Sequence, residues 1–369
     1  MYHRCFARLT VVALCAALLL SACSSPSSST QAGGRDRTSR SVHSAPRAGT
    51  LSVLPDDGRD LYFQAIAAAQ HEIRIEICVL EDPQILEHLQ AALRRGVKVR
   101  AIVDRAKFLA LPSESANLAQ YFTAAGGALH LSNPVFPRSF PKIILVDSQM
   151  LVYGSACLDE TTFLQYRDFA QVSTDPMIVR TLHGLFETDW ASSAAPGQTP
   201  SAFNPTPPIP RRALIVAPVN ATTRLAELYQ RARRTLNVYT EIVGNPTLAA
   251  ELVAAVDRGV RVRLIAPEVV NGAPPDAQQL QASSLAALAA AGVQVHVSGP
   301  EQTAKLPYMH ARAAVVDDRI AYLGSVSLSP DSATMNREMG LIQRQTAVVR
   351  KLGAQFESDF NSRTMTFTP

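Results

Sequence analysis

Tryptophan occurs once and cysteine only five times in this 369-residue chain, and aromatic side chains make up 6% of it. Cys5, Cys15 and Cys23 lie near the N-terminus, so the body holds Cys78 and Cys157 alone. Two cysteines are no disulfide framework, and without a CxxC pair or a clustered His/Cys set no metal site and no cofactor are expected. Charge is thin as well. With 18% charged against 47% apolar residues, the chain reads as globular, able to bury sizeable cores, and neither disordered nor polytopic.

The apolar run from Leu9 to Leu20 is too short to span a bilayer comfortably and follows Arg4 and Arg8, the layout of a secretory signal. Its end, Leu20-Ser21-Ala22-Cys23, resembles a bacterial lipobox. That resemblance implies a signal peptide over 1–22, a lipid-modified Cys23 and a location in the bacterial cell envelope, lipid-anchored on the outer membrane or periplasmic side of a Gram-negative host. An ordinary cleaved signal is the alternative. Residues 23–49 are rich in Ser, Gly and Arg and read as a disordered tether.

Removing this leader changes the charge argument. Residues 1–49 hold six arginines against Asp36, a net of +5, and subtracting that from +4 for the whole chain leaves −1. A nearly neutral body argues against a nucleic-acid partner gripped over many phosphates, and so against a secreted nuclease. The Arg-rich tether suits anionic lipid head groups, or nothing specific.

The body repeats itself. RIEICVLEDPQILEHLQAALRRGVKVRAIVD (74–104) aligns with LNVYTEIVGNPTLAAELVAAVDRGVRVRLIAP (236–267), Gly96 and Gly259 being 163 positions apart. Each copy reads strand, helix, strand, with Asp82-Pro83 or Asn245-Pro246 opening the helix and the glycine closing it. SFPKIILVDSQMLVYGSA (139–156) matches YMHARAAVVDDRIAYLGSV (308–326), and FETDW matches FESDF, both at a separation of 170. The expected organisation is a first α/β domain over 50–195, a Pro-rich linker over 196–212 and a second domain over 213–369. Continuous apolar strands such as IILVD alternate with helices, which predicts mostly parallel sheets covered by helices, the two units related by a pseudo-twofold axis.

His310-Ala311-Arg312 followed by Asp317 resembles the HxKxxxxD signature of the phospholipase D superfamily, with arginine for lysine. In that family two motif copies face one site. One histidine attacks phosphorus to form a phosphohistidine, the other protonates the leaving alcohol, and no metal is generally required. A shielded phosphodiester with a poor leaving group needs a nucleophile, an acid and cations in any case. The resemblance implies His310 and Glu338 as catalytic residues, with Lys142, Arg312, Ser155, Ser325, Ser327 and Asn336 around the phosphate. It sets Asp147, Asp317, Asp168 and Cys157 behind them. It also makes the segments of Cys78 and Cys157 neighbours, so a disulfide is expected there.

The first copy departs from the family pattern where it matters. Phe140 stands at the position of His310, Cys157 at an asparagine position and Asp168 at a glutamate position. Phenylalanine has no lone pair to attack phosphorus and no titratable proton. Membership therefore leaves activity open. The implied substrate is a phospholipid or other phosphodiester, cleaved or transferred with an activity weak, lost or carried by a substitute group. The competing reading is an inactive fold that binds phospholipid or phosphate ligands. Taken alone, HxRxxxxD also suits an ordinary strand, Asp147 and Asp317 suit the turns as well as a substrate, and His130 and His296 read as satisfied core histidines. Oligomeric state is not legible.

Overall fold

Asp147 and Ser148 in one copy and Asp317 and Asp318 in the other have φ between 50° and 55°. Two successive left-handed residues bend a three-residue connection tightly enough that each motif strand doubles back on itself as a hairpin. Asp147 accepts from the amides of Gln70, His71 and Glu72, and Asp317 from those of Arg233, Arg234 and Thr235, at 2.8–3.0 Å. Partial burial works against the charged form of either aspartate, but these donors outweigh it and hold both below the usual carboxylate range. The two aspartates fix turns.

The computed structural model describes residues 44–209, 213–299 and 301–368. The expected signal, Cys23 and most of the tether lie outside the described residues. Where the tether ends, Pro46 is buried and the Gly49 amide donates to the Val172 carbonyl at 2.9 Å.

The first half runs β1 (Leu51–Leu54), α1 (Asp60–Ala68), β2 (Glu72–Ile77), α2 (Pro83–Arg94), β3 (Lys98–Val103), α3 (Arg105–Ala110), α4 (Pro112–Ala124) and β4 (Ala128–Leu131). It continues through β5 (Ile143–Val146), β6 (Met150–Gly154), α5 (Glu160–Gln165), β7 (Tyr166–Ser173) and α6 (Pro176–Ser192). The second half opens with β8 (Leu214–Ala217), α7 (Ala221–Gln230), β9 (Thr235–Tyr239), α8 (Pro246–Asp257), β10 (Arg261–Pro267), α9 (Pro275–Ala290) and β11 (Gln294–Ser298). It closes with β12 (Tyr308–Met309), β13 (Ala313–Val316), β14 (Ile320–Gly324), α10 (Pro330–Thr334), β15 (Glu338–Gln343), α11 (Thr346–Ser362) and β16 (Met365–Thr366). The caps read from sequence are made. Asp82 accepts from the amides of Gln84 and Ile85, Asn245 from that of Leu248, each before a proline.

Each half builds a mixed sheet, in the orders β1-β7-β6-β5-β2-β3-β4 and β16-β11-β10-β9-β13-β14-β15-β8. Within each half β2, β3 and β4, and β9, β10 and β11, run parallel, and the hairpins and the strands beside them pair antiparallel. The sheets are thus mixed where mostly parallel ones were expected, because a tight hairpin cannot join parallel strands. The facing sides of the two sheets share one core with α6 and α11, while separate outer cores lie under α1, α2 and α4 and under α7, α8 and α9.

Contacts across the middle are reciprocal. Tyr308 and Met309 pair in parallel with Tyr166 and Arg167, and Ser139 pairs in parallel with Arg337. Arg167 makes a two-pronged bond to Asp359 at 2.8 and 3.2 Å, and Arg337 makes its counterpart to Asp189 at 2.8 and 3.0 Å. Both arginines are fully buried, and each charge is met by a carboxylate from the opposite half.

Candidate functional site

The reciprocal pairing decides which residues meet. Because β12 lies beside the start of β7, the next residues along, His310 and Asp168, abut: Nδ1 lies 2.7 Å from Asp168 Oδ2. The residue orienting His310 is therefore Asp168 of the first half, and Glu338, expected in that role from its place in the second copy, is corrected. Strand pairing across the middle, not position within a copy, chooses the partner. Ser155 donates to Asp168 Oδ1 at 2.5 Å and accepts from the Phe169 amide at 3.1 Å.

His310 Nε2 accepts from Arg312 Nη1 at 2.9 Å, which leaves Nδ1 as the protonated nitrogen, donating to Asp168. Burial, then the charges of Arg312, Lys142 and Lys107, hold the imidazole well below its ordinary pKa, so it is neutral. Burial pushes Asp168 up to about 7 against the pull of Lys142, Arg312 and the Ser155 bond. Above that pH the pair is a neutral imidazole held by a carboxylate, and its Nε2 lone pair, engaged by Arg312, becomes free for attack when that guanidinium turns to a ligand.

By the mirror-image rule, Phe140 belongs beside Glu338. Its amide donates to the Arg337 carbonyl at 2.7 Å, and its half-buried ring packs on the first-half core. Glu338 has no imidazole. Asn336 Nδ2 donates to it at 3.2 Å, and burial, opposed by Arg312 and by side-chain bonds, raises it to about 7.

His310, Arg312, Lys142, Phe140 and Asn336 line one open cavity of about 780 Å³. Lys142 is buried and left-handed at φ 54°, with Nζ donating to the Ser155 carbonyl. Burial, then repulsion from Arg312, brings it down to about 7. Asn336 Oδ1 and Arg312 Nε are buried without hydrogen-bond partners. Ser155, Ser325 and Ser327 lie beneath this wall. Ser325 exchanges bonds with the Met339 backbone at 3.1 and 3.3 Å, and the Ser327 hydroxyl meets Ser329 at 3.3 Å. The Ser155 and Ser325 hydroxyls tie the turns after β6 and β14 to the sheet, and the Ser327 hydroxyl stays within its own loop.

Two features of the wall escaped the sequence. Glu241 receives Arg312 Nη2 on Oε2, receives the Tyr308 hydroxyl on Oε1 at 3.0 Å, and stands 3.8 Å from His310 Nε2. Gln281 holds its backbone in place by donating to the Glu241 and Pro267 carbonyls and accepting from the Val243 amide. Thus the guanidinium expected to grip phosphate already grips a carboxylate. By the 163-residue offset its counterpart is Cys78, and Cys78 is disulfide-bonded to Cys157 with Cα atoms 6.0 Å apart. That bond lines the cavity where an amide was expected. The other feature is Lys107, on the cavity rim, with Nζ 5.6 Å from the centre of the Phe140 ring.

His130 bonds Ser193 and stacks on Trp190, and His296 bonds Thr364 and stacks on Phe360, so neither reaches the site. Among the described residues no group of His, Cys, Asp and Glu could hold a metal ion, and no helix is long and apolar enough to cross a membrane.

A family model described as cardiolipin synthase, PLD-like domain matches residues 62–190 and again 225–360. The two matches take up most of the chain, which belongs to this phospholipase D-like family. Cardiolipin synthase B of Salmonella typhi is 26% identical over 334 residues, 80% of this chain and 77% of that protein. The mitochondrial cardiolipin hydrolase of Canis lupus familiaris is 30% identical over 178 residues, 47% of this chain and 64% of that protein. The structure of phosphatidylserine synthase from Haemophilus influenzae Rd KW20 superposes with a TM-score of 0.68 over 88% of this chain and 90% of that one, at 14% identity, which speaks for the fold alone.

Proposed function

We propose that this chain is a phospholipase D-type enzyme acting on the phosphodiester of a phospholipid head group, by hydrolysis or transfer to an alcohol, with His310 as nucleophile. The observation that carries the reading is the Asp168–His310–Arg312 line, which holds a neutral imidazole with one nitrogen committed to a carboxylate and the other at the cavity. His310 Nε2 would attack phosphorus, Lys142 and Arg312 would hold the non-bridging oxygens, and Asn336 would take a donor of the substrate. The related proteins are named for cardiolipin chemistry, and they support the phospholipid class.

The test is trapping. A nitrophenyl phosphodiester, whose leaving group needs no acid, should give an acid-labile, base-stable phosphohistidine on the wild type and none on His310→Ala. A wild type that forms no adduct and turns over no diester would favour the second reading, a protein that binds phosphate ligands without cleaving them. Phe140, which cannot act as acid, and the Glu241–Arg312 contact favour that second reading.

The same proposal sets the enzyme in a bacterial envelope through lipid on Cys23, because two or three acyl chains anchor stably where one does not. Mass spectrometry of the mature N-terminus checks this, and an unmodified or differently cleaved terminus would reject it.

A further inference from the structure

Phe140 leaves the reaction short of one proton donor, and the wall around it holds a replacement. We propose that Lys107 supplies the proton the absent imidazole would have supplied, an inference that rests on the diesterase reading above.

Three observations converge. First, Nζ lies 5.6 Å from the centre of the Phe140 ring, so the ammonium occupies the space next to the side chain that stands in for histidine, and Lys107 and His310 line the same cavity. Second, one carboxylate ties Lys107 to the segment of Phe140: Asp104 Oδ1 accepts from the Lys107 amide at 2.7 Å and Oδ2 from the Ser139 amide at 2.7 Å. The first turn of α3 is thereby clamped to the segment carrying Phe140. Third, the 163-residue offset sets Val270 opposite Lys107, and Val270 lines the cavity too. The half that has the histidine presents an apolar side chain there, and the half that lost it presents a cation.

The steps balance. Nε2 of His310 forms the bond to phosphorus while the bond to the leaving oxygen breaks, and the Lys107 ammonium gives that oxygen a proton, leaving alcohol and neutral amine. The amine then takes a proton from water, or from an acceptor alcohol, as its oxygen attacks phosphorus. The N–P bond breaks, its electron pair returns to Nε2, and both side chains are restored. A rim lysine can move between the two oxygens because Lys107 is exposed.

The experiment compares wild type, Lys107→Ala and His310→Ala on two diesters, phosphatidylglycerol in mixed micelles and a nitrophenyl phosphodiester. Proton transfer of this kind is worth roughly 100- to 10,000-fold. In Lys107→Ala the ratio of phosphatidylglycerol to nitrophenyl turnover should therefore fall about 100-fold or more, and added methylamine should recover part of it. The nitrophenyl arm also reports that the variant is folded. An unchanged ratio, with turnover that still needs His310, overturns the role of Lys107 and leaves the diesterase reading standing. No His310-dependent turnover or adduct on either diester in the wild type overturns both.

Discussion

The two halves of this protein share one chain path and have divided one candidate site between them. The second half keeps the imidazole, on His310, but takes its orienting carboxylate from the first half; the first keeps a cation, Lys142, but sets Phe140 beside the second half's own carboxylate, Glu338. Around Arg312 a carboxylate, Glu241, has been added, and around Lys142 the equivalent position is closed in a disulfide. Duplication thus preserves the backbone geometry that brings pairs together even when one member of a pair is gone. The cost of that loss shows as a buried carboxyl with no imidazole, and its compensation as a lysine on the same wall.

The comparison can be broken most completely at its intact pair. His310→Ala should abolish the phosphohistidine and lower nitrophenyl diester turnover about 1,000-fold or more. In the wild type, Asp168 ionises and Lys142 loses its charge over the same range, so turnover should peak near pH 7 and fall on either side. Adduct trapping and a pH–rate profile read these two outcomes.

Repairing the broken pair should give the next largest change. In the Lys107→Ala background, Phe140→His places an imidazole beside Glu338 and should raise turnover of an ordinary phospholipid roughly 100-fold, at the low end of what a positioned acid contributes. Steady-state rates on phosphatidylglycerol decide it, and no gain would mean that the ring cannot reach phosphorus.

The reciprocal arginines test whether the halves depend on each other for stability. Arg337→Ala strands Asp189 in the middle of the protein and should cost about 3–5 kcal/mol, and Arg167→Ala should cost a similar amount by stranding Asp359. Denaturant titrations of both variants compare the two clamps directly. Glu241→Gln removes the carboxylate that competes for Arg312 and should tighten inorganic phosphate binding about tenfold, since a bond to a charged partner is worth roughly 1.5–3 kcal/mol. Calorimetry would show it.

The smallest effect concerns Glu76, the counterpart of Tyr239. The tyrosine hydroxyl donates to Asp359 at 2.7 Å, and Glu76 has to keep its proton to do the same for Asp189. Burial, then Asp189, raises Glu76 well above its ordinary 4.5. The folded value lies above the unfolded one, so this stabilisation is complete below pH 4.5 and is lost as pH rises through the folded pKa. Glu76→Gln donates at every pH and should make the protein more stable by about 1 kcal/mol on the alkaline side. Thermal unfolding across pH measures it.

Much of this was local enough to be legible in the chain itself. The repeat, the strand–helix–strand units, the caps at Asp82 and Asn245, the hairpin after each motif and the family signature at His310 all depend on residues a few positions apart, where backbone sterics and short hydrogen bonds set the outcome. So did the vacancy at Phe140, which one side chain's chemistry establishes. The tertiary structure alone decided who meets whom across the middle. Asp168 reaches His310 because β12 adds to the edge of β7, and a carboxylate 142 positions away in the other copy leaves no periodicity or spacing to read. Glu241 and Lys107 were invisible for the same reason: each is an ordinary charged residue in its own segment, and becomes part of a site only where two sheets, each with its own core, turn their strand ends toward one cavity.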